Sequence, residues 1–576
     1  MSTADISATA PRERTPGMRP RRRHSLAALA TAAALALVLT SCGSGGGNGE
    51  VLGADQVGVG ANDINPVPRD QLRDGGDLSW PLDAIPDNFN ALQIDGALLE
   101  TTEVITALMP AAFIVQRDAS VRVNENYFTS IELTGQNPQQ ITYTINPEAT
   151  WTEGTALSWR DLQSQWQALN GTNDAFLAAS TTGYEDIKSV EHGRNDQQAV
   201  VTFARNFGEW RSLFSPIYPI ATTSDPTTFN KGWINQMPTT AGPFTLQTLD
   251  SAGQTITLVR NEKWWGQPAK LDRIIYRVTE RDALADALAN GEIDFYAIGS
   301  DVNLFQRARG IPGVEIRQAI EPQYNQITLN GGQGSILADP ALRKAVVQGV
   351  DRQAIADALI GQIVPNTTPL GNYLYVQGAA NYVDHSQGVS YNPVAARAAL
   401  DKLGWTSQGA VRSKNGQQLV IDLVSTASNP ISERISQLTQ AQLAGIGVRV
   451  NIIPAPAASF FTDYVTPGNF EMVSFAWAGT PFPVTATRNI YTTAGEQNFG
   501  HIGSPAIDQL YEQAIRTLDD KRRVELGQQI DQAIWNLMPQ LPLYQSTGAY
   551  AVRTTLANFG AHGFADVSYE NIGYTR

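Results

Sequence analysis

One cysteine in 576 residues, Cys42, constrains everything that follows it. No intramolecular disulfide can form, and the chain has no Cys-based metal site and no Cys nucleophile. The body must hold its shape by burying apolar surface, and 42% apolar residues with 11 Trp suit a packed globule. The position of this Cys is equally informative. Arg19, Arg21, Arg22 and Arg23 form a basic cluster, an Ala- and Leu-rich run extends from Leu26 to Leu39, and Leu39-Thr40-Ser41-Cys42 closes it. Charged, apolar and small-residue regions in that order make a secretory signal. The apolar run is about 14 residues, short of the ~20 that span a bilayer as a helix. Residues 1–41 are therefore expected to be a removable signal peptide. Within them, residues 1–17 carry no targeting pattern, so Met18 is a candidate start, and Arg21-Arg22 leaves both the general and the twin-arginine export routes open.

The Leu-Thr-Ser-Cys ending resembles the lipobox of bacterial lipoproteins, which implies a diacylglyceryl group on Cys42. Residues 42–76, with Gly43-Ser44-Gly45-Gly46-Gly47 at their start, read as a flexible tether from that anchor. The expected location is the outer face of the cytoplasmic membrane. Removing the leader takes away six Arg and two acidic residues, leaving 35 basic against 53 acidic, a net charge near −18. Nucleic acid and anionic lipid surfaces need a basic face, so neither is expected as a partner.

Beyond residue 76, strand and helix patterns mix without a repeat. Ile141–Ile145, Ala199–Phe203 and Thr255–Val259 alternate at strand period. Asp339-Pro340, Asp351 and Ser504-Pro505 open helices whose apolar residues recur on one face. The fold class is α/β. The residues offer little chemistry. His24, His192, His385, His501 and His562 are scattered without metal spacing, and no Gly-x-Ser-x-Gly elbow occurs. No metal, no cofactor and no enzymatic activity are expected, and no phosphate loop is present to drive work from ATP.

Several segments resemble, in order and spacing, the extracytoplasmic solute-binding proteins that serve peptide and nickel ABC importers. These are Trp151-Thr152-Glu153-Gly154 with Leu157-Ser158-Trp159-Arg160-Asp161-Leu162, then Thr240-Ala241-Gly242-Pro243-Phe244 and Arg260-Asn261-Glu262-Lys263-Trp264-Trp265-Gly266. Asn290-Gly291-Glu292-Ile293-Asp294, Asp339-Pro340-Ala341-Leu342-Arg343, Tyr391-Asn392-Pro393 and Met538-Pro539-Gln540-Leu541-Pro542-Leu543-Tyr544 continue it. Glu153, Ala156 and Trp159 depart from the family's usual Asp, Pro and Ala.

The resemblance implies a two-lobed, periplasmic-binding-protein-like (type II) fold with an extra domain in the first lobe. The expected division is 77–322 for the first lobe, with the extra domain at about 101–200, then 323–544 for the second and 545–576 returning to the first. Crossing strands are expected near Arg317–Leu329 and Leu541–Val552. The implied function is capture of a solute, an oligopeptide by family frequency, by a monomer that delivers it to a membrane permease powered by a separate ATPase. The alternative is an envelope lipoprotein that keeps the fold for protein contacts in cell-wall assembly or signalling. In the family, a strand Trp enters the cleft, which here is Trp477, with Gly479 and Thr480 just beyond it; Phe89, Asn90, Tyr324 and Asn330 are further implied contacts. Peptide binders often carry an Asp shortly after that Trp to pair with the ligand's α-ammonium, yet no acidic residue follows Trp477 until Glu496.

Overall fold

The structure is a computed structural model that describes residues 61–576, apart from 408 and 428. The leader, Cys42 and residues 43–60 lie outside the described residues; residues 61–76, expected as the end of a flexible tether, instead lie against the C-terminal segment, where Asp63 bridges to Ala561 and Leu72, 0% exposed, to Thr575.

Two large sheets organise the two lobes. The first lobe is built on Asp77–Leu82, Arg273–Val278, Thr255–Arg260 and Phe244–Asp250, adjacent in that order. Asp77–Leu82 burial alternates at every second residue, so one face of the strand fills the core. The second sheet has six strands in the order Phe295–Ala297, Gln540–Arg553, Val314–Leu329, Met472–Ala478, Val420–Thr426 and Arg449–Ala455. Val314–Leu329 and Gln540–Arg553 are the long pair, antiparallel along most of their length. One end of the pair joins Phe295–Ala297 on the first-lobe side; the other joins Met472–Ala478 in the second lobe. The ranges Arg317–Leu329 and Leu541–Val552 lie inside these two strands.

A separate antiparallel sheet, Phe128–Gln136, Gln139–Ile145, Gln198–Phe203 and Ile187–His192, carries the helix Trp159–Leu169. That helix starts where its sequence says it should. Asp161 Oδ2 accepts from the Ser158 N–H at 2.9 Å and hydroxyl at 3.2 Å, while Oδ1 takes the Ile220 N–H at 3.0 Å. One buried carboxylate thus opens a helix and docks a neighbouring segment.

Helices of the second lobe follow the same logic. Asp339, Asp351 and Ser504 each accept a backbone N–H in the first turn of Pro340–Val347, Arg352–Ile360 and Pro505–Arg516. Gly291 ends Leu284–Asn290 at φ +82°, a left-handed conformation that suits glycine. The main apolar core runs through both lobes, with a smaller cluster around Val424, Phe460 and Phe499 beneath Trp477. No described helix is long and apolar enough to cross a membrane.

Candidate functional site

The crossing strand Val314–Leu329 breaks register at its middle. Ile320 pairs with Thr547 and Tyr324 with Gln545, so Glu321, Pro322 and Gln323 stand opposite the single residue Ser546. The cause is local: Pro322 has no N–H to give a ladder, and a proline inside a strand is accommodated at a bulge. Other side chains take up the freed backbone groups. Gln545 Nε2 donates to the Glu321 carbonyl at 2.6 Å and the Gln377 carbonyl at 3.0 Å, and Gln545 Oε1 accepts from the Gln377 N–H at 2.7 Å. The Pro322 carbonyl accepts from the Gly479 N–H at 2.6 Å.

That last bond brings three of the expected residues to the bulge. Trp477 lies directly opposite Tyr324 across the ladder. Its ring stacks on Phe499 at 6.1 Å and meets Phe475 edge-on at 5.0 Å. Its Nε1–H is enclosed and has no hydrogen-bond acceptor among the described residues. Tyr324 is 3% exposed, and burial raises its hydroxyl pKa well above the ordinary tyrosine value. Thr480 Oγ1 accepts from the Phe482 N–H at 3.0 Å.

Thr480 also lines a cavity of about 160 Å³ between the lobes. Asp118, Ser120 and Phe564 form its first-lobe wall; Tyr375, Val376, Pro481 and Pro483 face them. Sites for small molecules run to ~300–1,000 Å³, so this cavity as it stands is smaller than a peptide-sized ligand needs. A larger cavity of about 350 Å³, lined by Ile64, Arg69, Asn558 and His562, has no wall from the second lobe. Hinge motion would not open or shut it, and the interlobe cavity is the better candidate for that reason.

The other expected contacts lie elsewhere. Phe89 and Asn90 are each 0% exposed in the first-lobe core. Asn90 Nδ2 donates to the Phe229 carbonyl at 2.8 Å, and its Oδ1 accepts from the Leu92 N–H at 3.1 Å. Asn330 donates to the Gly468 and Phe470 carbonyls and accepts from the Gly332 N–H, so its amide is spent on a turn. These three build structure and do not gather at Trp477.

One acidic residue at the bulge escaped the sequence reading. Glu321 has no cationic partner among the described residues; the Tyr550 hydroxyl, 3.5 Å from Oε1, is the hydrogen-bond donor to its carboxylate. Burial raises its pKa, with the Tyr550 bond acting against that. Gly548 leaves it room, since a Cβ there would sit 2.7 Å from the Glu321 side chain. The signal was the Glu-Pro pair within a strand pattern, which marks a bulge. Among the described residues no group of three or more His, Cys, Asp or Glu could hold a metal.

Two α/β lobes, joined by a pair of long strands and closing on a cavity at their junction, define a solute-binding protein of the periplasmic type. The comparisons say which kind. The family model for bacterial extracellular solute-binding proteins, family 5, middle region, matches residues 126–499, and the chain belongs to that family. The oligopeptide-binding protein OppA of Mycobacterium tuberculosis (strain H37Rv) is 44% identical over 519 residues, 89% of this chain and 87% of the relative. Among solved structures, the periplasmic EDTA-binding protein EppA superposes with a TM-score of 0.82 at 22% identity, covering 89% of this chain and 98% of its own. The oligopeptide-binding protein AppA of Bacillus subtilis, in complex with a nonapeptide, gives 0.70 at 20% identity, covering 88% and 100%. These two likenesses show the fold. The protein is an extracytoplasmic solute-binding protein, as the ordered segments implied.

Proposed function

We propose that this protein captures oligopeptides in the cleft at the strand bulge and delivers them to an ABC permease served by a separate ATPase. The observation that carries the reading is the 44% identity to an oligopeptide-binding protein over 89% of this chain. The site chemistry supports it. Trp477 lies at the bulge with its ring against Phe475 and Phe499, and Glu321 holds a carboxylate with no cationic partner among the described residues, where an ammonium would fit. Hinge closure at the bulge would then trap the ligand, because contacts made only in the closed state shift the open–closed equilibrium. A lipid on Cys42 would hold the protein at the outer face of the cytoplasmic membrane; Cys42→Ser should then release it into the medium, and retention on the membrane would refute the anchor.

The test is a thermal-shift screen on residues 43–576, denatured and refolded to strip carried-over ligand. Defined tri- to octapeptides should raise Tm by a few degrees, since a ligand at 100 times its Kd adds about 2.7 kcal/mol. Sugars, glycerophosphodiesters and nickel chelates should not. A shift with those and none with peptides would sink the reading.

A further inference from the structure

The lobes meet a second time, through a loop that follows Gln198–Phe203 in the antiparallel sheet of the first lobe. Gln139, in the neighbouring strand, fixes this loop: its Oε1 accepts from the Phe207 N–H at 2.7 Å and its Nε2 donates to the Phe207 carbonyl at 3.1 Å. Two residues on, Glu209 reaches into the second lobe. Its carboxylate is buried, 4% exposed, and accepts from the N–H groups of Val484 at 3.2 Å and Thr485 at 2.7 Å.

Those amides open the helix Pro483–Tyr491, whose own N-cap, Phe482, has no side-chain acceptor to offer. The first turn of a helix leaves its N–H groups unpaired and favours a negative charge. Here the charge comes from the opposite lobe. Around it the contact is closely fitted. Gly208 donates its N–H to the Ile515 carbonyl at 2.6 Å, and a Cβ on Gly208 would lie 2.2 Å from the Thr517 carbonyl. Arg516 of the second lobe pairs with Asp186 at 2.8 Å and donates to the Asn206 carbonyl at 2.9 Å.

The capped helix is continuous with the candidate site. It begins three residues after Thr480, and its first residue, Pro483, lines the interlobe cavity beside Thr480 and Tyr375. When the lobes part, Glu209 and the two amides return to water and each is satisfied there. When they close, each satisfies the other in a water-excluded contact. On the hinged-cleft reading above, we propose that Glu209 is a positioning residue for solute capture: it caps Pro483–Tyr491 from the facing lobe only in the closed state, docks the Trp477–Thr480 segment against the first lobe, and so sets the closed fraction.

The test uses residues 43–576 with Glu209→Ala and Glu209→Gln, the latter keeping one acceptor oxygen in place. Ligand-free protein is measured first, by small-angle scattering and by hydrogen exchange at Val484 and Thr485. The Ala variant should show a larger radius of gyration and at least tenfold faster exchange at those two amides, with far-UV circular dichroism unchanged; the Gln variant should lie between. Binding of an alanine pentapeptide should weaken roughly tenfold in the Ala variant, the share of affinity carried by a charge-assisted contact present only when closed. Equal radii and equal exchange in wild type and both variants would overturn the proposal. If Glu209→Ala does not fold, Glu209→Gln decides by the same two readouts. If the pentapeptide binds none of the proteins while scattering and exchange respond, the peptide reading falls and the Glu209 contact stands.

Discussion

Gly479 shows how much of the cleft rests on one residue. Its N–H reaches the Pro322 carbonyl, and a Cβ would lie 2.8 Å from that oxygen and 2.9 Å from Val376 Cγ1. Gly479→Ala should push the turn off the bulge, lower stability by about 1–3 kcal/mol and weaken peptide binding; urea denaturation with an unchanged midpoint would contradict this. Asp531 sets a pH dependence. It is 0% exposed, and its Oδ2 lies 2.6 Å from His385 Nδ1. Burial pushes its pKa up to about 6, with the bonds from His385 and the Tyr373 N–H pulling down. An unfolded Asp titrates near ~3.9, so folding favours the protonated acid. That contribution is complete below about pH 4 and is lost as pH rises through 6. Asp531→Asn should flatten the Tm–pH curve between pH 4 and 7, and parallel curves would refute the assignment. At this scale the sequence was legible where chemistry is local. Trp477, Gly479 and Thr480 came together because positions within four residues of one strand end and turn cannot separate. Phe89, Asn90 and Asn330 did not, because an Asn is claimed by carbonyls far along the chain, Phe229 for Asn90 and Gly468 for Asn330.

Elements were read well at their ends and poorly at their irregularities. A cap needs only a side chain and an N–H two or three residues on, so Asp339, Asp351 and Ser504 fall where sequence puts them. Asp161 does more than its cap signature told, since it also receives the Ile220 N–H 59 residues away. Asp161→Ala should therefore cost about 2 kcal/mol, above the ~1 kcal/mol of an ordinary cap loss, with Asp161→Asn recovering part of it in chemical denaturation. A loss no larger than a simple cap would mean the Ile220 bond contributes nothing. The bulge at Glu321–Gln323 was not read. Its register depends on Gln545 and Ser546, more than 200 residues on, and no local pattern fixes that pairing. The crossing strand is also held through Arg317, 1% exposed, whose guanidinium donates to the Leu556 and Phe559 carbonyls and pairs with Glu315.

The whole molecule closes through two kinds of contact, one legible in the sequence and one not. Order and spacing of turns and caps resembled a family of solute-binding proteins, and that resemblance implied the two-lobed fold; the residues alone gave only the α/β class. Contact between the lobes could not be read, since Glu209 and the helix it caps are 275 residues apart and neither carries a motif. The cavity at Thr480 holds only about 160 Å³, so on the proposed reading an oligopeptide enters with the lobes apart and the cleft closes around it. One measurement addresses that directly: titration of unfolded-and-refolded residues 43–576 with defined peptides, following heat and small-angle scattering in the same samples. The account predicts saturable binding of tri- to octapeptides, a radius of gyration that falls as the site fills, and both responses lost together in Trp477→Ala. Saturation by no peptide, or binding that leaves the radius unchanged and survives Trp477→Ala, would contradict capture of oligopeptides in this cleft.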